Sequence, residues 1–372
     1  MVVNWIRLRI EMLESVPIVD VSSWMEQPPS SISEISSAQQ KVIDDWRTAF
    51  TSTGFVIITG TGVDTRMMET LKRESEDFFS QSYEQKMEFH HGPYGDPNGG
   101  YSPFGIETVA QSMSNSGSQQ PDPVENFVFR DYPLNFASKN GQTSPIATAH
   151  SYYTTMDALL AVLHQITSIS LGLNDFDYIN KHYNGKNGNA LRLSHYMASL
   201  STASPEDKSR STLYGAHTDY QGFTILRPDD SDWDDTTGAG GLQVFSEKEN
   251  DWINVKIPDE IKHDAFVVNS GDLIERWTNK WFKSTLHRVL GPIRNSASTA
   301  LSRLSIVFFT GPCHDAVIEV LPGMPGEAGQ FAPVTAGEVL THSHSHSHLL
   351  THLLTHAVPY EQVKKNKCIR NE

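Results

Sequence analysis

His217 and Asp219, within GAHTDYQGFTIL at 215–226, stand two positions apart. In an extended segment such residues project to the same side and reach a single point. Imidazole and carboxylate are both good ligands for Fe(II). A lone pair of this kind near a turn is more often surface polarity than a metal site. His287, in FKSTLHRVLGP at 282–292, changes the weight of the pattern. Period-2 alternation sets it on one face with Thr285 and Val289, pointing into a core. A core histidine is the bland reading; a second imidazole for the same ion is the chemical one. Two histidines and one carboxylate occupy one face of an octahedron and leave the other positions open for substrate and oxygen.

A second polar group lies sixteen residues beyond His287, in SRLSIVFF at 302–309. Alternation puts Arg303, Ser305, Val307 and Phe309 on one face and Leu304, Ile306 and Phe308 on the other. Both faces are apolar beyond the start, so Arg303 enters a buried strand, where an uncompensated guanidinium is costly. It pairs either with an internal carboxylate or with a small anionic ligand, received bidentately with the Ser305 hydroxyl as a further donor.

These residues need a scaffold that brings distant strands together. Beyond about residue 188 the chain is a series of short β-branched and aromatic runs separated by turns: ALRLSHYM, FTILR, GGLQVF, WINVKI, AFVVNSGDL, STLHRVL and RLSIVFF. Without intervening helices this predicts an antiparallel sandwich or barrel, and a jelly roll fits the count. Earlier, helical periodicity joins Val42, Ile43, Trp46 and Phe50, closed by Gly54, then Met68, Leu71, Phe78 and Phe79 behind an Asp64 N-cap. The longest apolar face runs from Met156 to Leu171. GFVIITGTGV at 54–63 reads as a buried strand, and the Gly, Pro and Ser-rich stretch from about 90 to 145 as loop. The expected division is a mostly helical region at 1–187, a catalytic core at 188–315 and a C-terminal segment at 316–372, forming one compact unit.

Composition narrows the function. Apolar residues at 38% of 372 suit a globular chain, not a disordered one. The net charge of -15 disfavours nucleic acid and anionic membranes as partners. Two cysteines cannot form a disulfide framework, and no segment approaches the roughly 20 apolar residues of a membrane span. Arg7, Arg9 and Glu11 stand where a signal peptide would be apolar, so a cytoplasmic location is expected. Near the end, THSHSHSHLLTHLLTH at 341–356 alternates Ser and His, then steps its histidines by four. A loop leading into a helix with Leu349, Leu350, Leu353 and Leu354 on its apolar face is expected, with the histidines as a solvated face.

The chain resembles the Fe(II)- and 2-oxoglutarate-dependent dioxygenases, in the branch that includes isopenicillin N synthase. The likeness runs through VPIVDVSSW, GFVIITGTGV, EQKMEF, GYSPFGIE, DPVENFVF, LRLSHY, the GAHTDY block, GGLQVF, VVNSGDLIERWTN, FKSTLHRV and RLS. It implies an α+β fold: a distorted double-stranded β-helix, or jelly roll, wrapped by N-terminal and C-terminal helices. It implies iron held by His217, Asp219 and His287, and the distal carboxylate of 2-oxoglutarate held by Arg303 and Ser305 with support from Tyr196. O2 would be the cosubstrate, and oxidative decarboxylation to succinate would be coupled to hydroxylation, desaturation or ring closure of a small molecule, as in natural-product oxidation. Thr61 departs from the usual Gly-His-Gly, Met197 from a proline, and Ser194 from the asparagine of many plant members; none is an iron ligand.

Two other functions fit the same residues. In isopenicillin N synthase the matching Arg, Ser and Tyr hold the substrate's own carboxylate, so an oxidase using no 2-oxoglutarate shares the pattern. A non-catalytic small-molecule receptor is the other, against which an intact ligand triad argues. Substrate contacts are expected from Tyr101, Phe104, Phe127 and Tyr214, and from the segment after Phe309.

Overall fold

The computed structural model describes residues 15–90, 99–106, 122–130, 144–197, 212–229, 241–290, 302–326 and 331–339. The His-rich tract and its expected helix lie outside these residues. Helix α1 (Ser22–Glu26) buries Trp24, and α2 (Ser37–Ser52) begins at a capping box in which Ser36 and Gln39 exchange side-chain and backbone hydrogen bonds. Val42, Ile43, Trp46 and Phe50 form the buried face of α2, as their spacing predicts. Gly54 follows at φ 71°, where a Cβ would meet the Lys283 carbonyl at 2.3 Å; only glycine allows this close approach. Asp64 caps α3 (Thr65–Phe79) through the Arg66 N–H, and α4 (Tyr83–Met87) follows. The longest helix among the described residues, α5 (Ala149–Ser170), packs on α2, where Trp46 Nε1 donates to Thr167 Oγ1 over 3.0 Å.

Among the described residues, twelve strands build two sheets. The larger joins β1 (Ile18–Asp20), β2 (Phe55–Thr59), β10 (Phe266–Ser270), β7 (Phe223–Arg227), β12 (Ser302–Phe309), β5 (Ala190–Met197), β4 (Val124–Arg130) and β3 (Gly99–Ser102), in that order. All its pairs are antiparallel except β1 with β2. The smaller has the order β6 (Thr212–His217), β11 (His287–Leu290), β8 (Leu242–Ser246), β9 (Asp251–Asn254). A short helix, α6 (Asp272–Trp277), follows β10, and β13 (Val317–Ile318) pairs with β14 (Val334–Thr335). Among the described residues no helix is long and apolar enough to cross a membrane.

Alternation along the larger sheet creates two cores. Val56, Ile58, Phe127, Leu191, Leu193, Ile225, Leu304, Ile306 and Phe308 belong to the core shared with Trp46, Phe78 and Leu163 of the helices. Phe55, Ile57, Val124, Tyr196 and Val267 instead join Leu213, Val244 and Val289 of the smaller sheet. The second core is the interior of the jelly roll. The stretch before residue 187 supplies four strands to this sheet as well as its helices. Two of them, β3 and β4, lie where composition predicts loop: VENFVFR is too short a run to stand out among flanking Gly, Pro and Ser, and its pairing with β5 makes it a strand.

Candidate active site

His217 closes β6, His287 opens β11, and the two are cross-strand partners with ring centroids 4.2 Å apart. Each Nδ1 faces a carbonyl two residues back, Gly215 at 2.8 Å and Thr285 at 3.0 Å. A carbonyl only accepts, so each Nδ1 carries a proton and Nε2 is the atom left to ligate. Those Nε2 atoms lie 3.7 and 3.9 Å from Asp219 Oδ1. Metal bonds of about 2 Å from one ion span such separations. The three ligand atoms all fall within 4.8 Å of one another.

Asp219 sits in the crossing from β6 to β7 and joins the two sheets. Its Oδ2 accepts from Thr224 Oγ1 and Asn269 Nδ2, both at 2.6 Å, and these donors are register partners on β7 and β10. One carboxylate oxygen is therefore spent on the larger sheet and the other faces the histidines of the smaller. Burial pushes the Asp219 carboxyl up, but His287, His217, Thr224 and Asn269 outweigh it and hold it below its ordinary range. Burial, then the neighbouring His287, push the His217 imidazole down to about 4, against Asp219 and the Gly215 carbonyl. Neutral imidazole beside ionised carboxylate is the protonation state of a metal-binding set.

A second cluster faces the same interior from β12 and β5, where Arg303 pairs with Tyr196 and Ser305 with Ser194. Arg303 is 1% exposed, its Cζ 5.3 Å from the centre of the Tyr196 ring. Burial lowers its pKa, and Tyr196 and Asp229 act the other way. Ser305 is 3% exposed, and its Oγ has no hydrogen-bond partner among the described residues. A buried hydroxyl usually finds a partner, so the orphan beside a buried cation fits a small anion accepting from both. The donor set thus fits 2-oxoglutarate, as the His-Asp-His set fits iron.

The expected substrate residues divide. Tyr214 lies edge-on to His217 with centroids 4.9 Å apart. Tyr101 and Phe127 are cross-strand partners on the helix-facing side of the sheet, away from the jelly-roll interior. There the Tyr101 hydroxyl donates to Glu125 over 2.6 Å, and Phe127 packs on Phe78 and Phe129. Phe104 is 38% exposed in the turn after β3. The inward residues of β4 and β5 include Asn126 and Arg192, which the sequence reading missed. Arg192 Nε donates to Asn126 Oδ1 over 3.0 Å and to Ser194 Oγ over 3.1 Å, and its Cζ is 6.0 Å from the Tyr214 ring centre. Thr224 and Asn269 were missed too; the polar Asn inside the apolar run FVVNS was the available signal. Thr61 is buried and bonds Asp264, so its departure is absorbed outside the metal site.

Residues 188–312 match the 2OG-Fe(II) oxygenase superfamily, and residues 16–147 match the family described as non-haem dioxygenase in morphine synthesis N-terminal. The 2-oxoglutarate-dependent dioxygenase citB of Monascus ruber is 29% identical over 314 residues, covering 79% of this chain and 84% of its own length. Gibberellin 2-beta-dioxygenase 2 of Arabidopsis thaliana is 29% identical over 274 residues, 72% of this chain and 71% of its own. Among solved structures, a full-length Neurospora crassa protein in complex with alpha-KG superposes with a TM-score of 0.70 at 25% identity, covering 88% of this chain and 95% of that one.

Proposed function

The chain belongs to the 2OG-Fe(II) oxygenase superfamily, and from that premise we propose that His217, Asp219 and His287 hold its Fe(II) while Arg303, Ser305 and Tyr196 hold its 2-oxoglutarate. The enzyme is an Fe(II)/2-oxoglutarate-dependent dioxygenase that oxidises a small molecule. The observation that carries the residue assignment is the convergence of two Nε2 atoms and one carboxylate oxygen within 4.8 Å, with Arg303 and Ser305 turned into the same interior.

Iron and 2-oxoglutarate, when bound, couple oxygen activation to decarboxylation and supply the oxidising power. The chain's own residues bind and orient. The Gly215 and Thr285 carbonyls keep both imidazoles in the ligating tautomer, and Thr224 with Asn269 aims the carboxylate. The Arg303 fork and the Ser305 hydroxyl receive the distal carboxylate, and the apolar interior of Phe55, Val244 and Val289 keeps water out. Tyr214 and Arg192 form the substrate side, a wall suited to a molecule carrying an acceptor group. Relatives include an enzyme named for gibberellin, which supports a natural-product substrate.

The test is anaerobic addition of 2-oxoglutarate to the Fe(II)-loaded enzyme, reading the weak visible charge-transfer band of the chelate. The band is expected in the wild type and absent from Asp219→Ala, His217→Ala and His287→Ala, each still folded by circular dichroism. Metal bound elsewhere with an undisturbed band in these variants overturns the ligand assignment. Substrate oxidation at full rate with no 2-oxoglutarate and no succinate overturns the cofactor assignment in favour of the oxidase.

A further inference from the structure

We propose that Asp229, strapped to Lys72, is a positioning residue for 2-oxoglutarate: it sets and electrostatically supports Arg303 from behind the cofactor pocket. The inference rests on the reading that Arg303 receives the 2-oxoglutarate carboxylate.

The ladder between β7 and β12 ends at Arg227 opposite Ile306. Continued two places, the same register brings Asp229 opposite Leu304. The backbone pairing has stopped there, and a side chain takes it over: Asp229 Oδ2 accepts the Leu304 N–H over 2.9 Å. That amide belongs to the peptide joining Arg303 to Leu304, so the bond fixes the backbone from which the guanidinium projects. The other oxygen, Oδ1, accepts from Lys72 Nζ of α3 over 2.7 Å. Both oxygens thus have donors, one from the strand and one from a helix outside the sheet.

A neutral acceptor would hold the amide as well, so the charge needs its own reason. Asp229 is only 4% exposed at its side chain, where an unneeded carboxylate is expensive. Burial pushes it up, yet Lys72, the Leu304 amide and Arg303 keep it ionised below its ordinary range. In return its field, after that of Tyr196, opposes part of the burial that disfavours the Arg303 cation. An anion behind the arginine reduces the cost of burying a guanidinium that stays charged in any case, and holds the fork in register for its ligand. Because the carboxylate is tied to an amide and a lysine, it supports the fork without being the ligand that the pocket is built to receive.

The experiment is equilibrium titration of 2-oxoglutarate into Fe(II)-loaded enzyme without oxygen, followed by the charge-transfer band, with iron affinity and thermal unfolding measured alongside. Asp229→Asn keeps an acceptor for the Leu304 amide and removes the charge. It is expected to weaken 2-oxoglutarate binding about tenfold, the scale of one hydrogen bond to a charged group, with iron affinity unchanged. Asp229→Glu is expected to restore part of the loss, and Lys72→Met to show a smaller one, about threefold. Wild-type affinity for 2-oxoglutarate in both Asp229→Asn and Lys72→Met overturns the proposal, as does a parallel loss of iron and 2-oxoglutarate. Should Asp229→Asn not fold, Lys72→Met decides: an unchanged affinity refutes the strap. Absence of the band in the wild type would instead remove the 2-oxoglutarate reading, and the strap's role with it.

Discussion

Asn269 Nδ2 donates to Asp219 Oδ2 over 2.6 Å, and that bond decides which carboxylate oxygen faces the two histidines. Thr224, directly across the ladder from Asn269, holds the same oxygen. The larger sheet thereby orients the carboxylate of the proposed iron site, whose imidazoles sit on the smaller one. A carboxylate free to rotate would present either oxygen and lose ligand preorganisation.

Asn269→Ala is expected to lower Fe(II) affinity ten- to a hundredfold. Competition with a chromogenic chelator measures it, and Thr224→Val should act in the same direction. Wild-type iron affinity in both variants would show that Asp219 is aimed by the turn alone.

Arg303→Lys keeps the positive charge and loses the planar fork. The concentration of 2-oxoglutarate needed for half-maximal turnover should rise at least about tenfold, with bound iron unaffected. Succinate formed per substrate oxidised reports whether coupling survives. Ser305→Ala, which removes the orphaned hydroxyl, should give a smaller rise in the same assay.

His164 governs part of the acid limb of stability. It is fully buried on α5, its Nδ1 2.9 Å from Asn180 Oδ1. Burial pushes its pKa down from 6.5 to about 4, with Asn180 opposing. Between those values the unfolded chain takes up a proton that the native one refuses, so stability falls as pH drops from 6.5 to about 4. The loss is on the order of 3 kcal/mol. His164→Gln should flatten that limb in urea unfolding across the same window; an unchanged slope would contradict the assignment.

Replacing His342, His344, His346 and His348 together by Ser should leave turnover unchanged. The run THSHSHSH places no Asp, Glu, Asn or Gln among these imidazoles to orient them as ligands. A loss of about a hundredfold or more in folded protein would give the tract a part in the chemistry.

What could be known from the sequence is what depends on local periodicity. Arg303 and Ser305 share a side of β12 because they are two residues apart. The same spacing marks His217 and Asp219 as a pair, though Asp219 lies past the end of β6 and is aimed by Thr224 and Asn269. The apolar faces of α2, α3 and α5 follow from spacing within single helices. Sidedness across strands is different, because a one-residue shift in register turns every side chain over. Phe127 pairs with Leu193 and faces the helices, while Asn126 pairs with Ser194 and faces the interior with Arg192. Nothing within DPVENFVF distinguishes those outcomes; the partner strand, some sixty residues away, decides them. The same holds for the supports of the site. Asn269 reaches Asp219 across 50 residues and Asp229 reaches Leu304 across 75. Such bonds exist only after the sheet has closed, because the chain alone places no carboxylate beside a particular amide until the strands between them have paired.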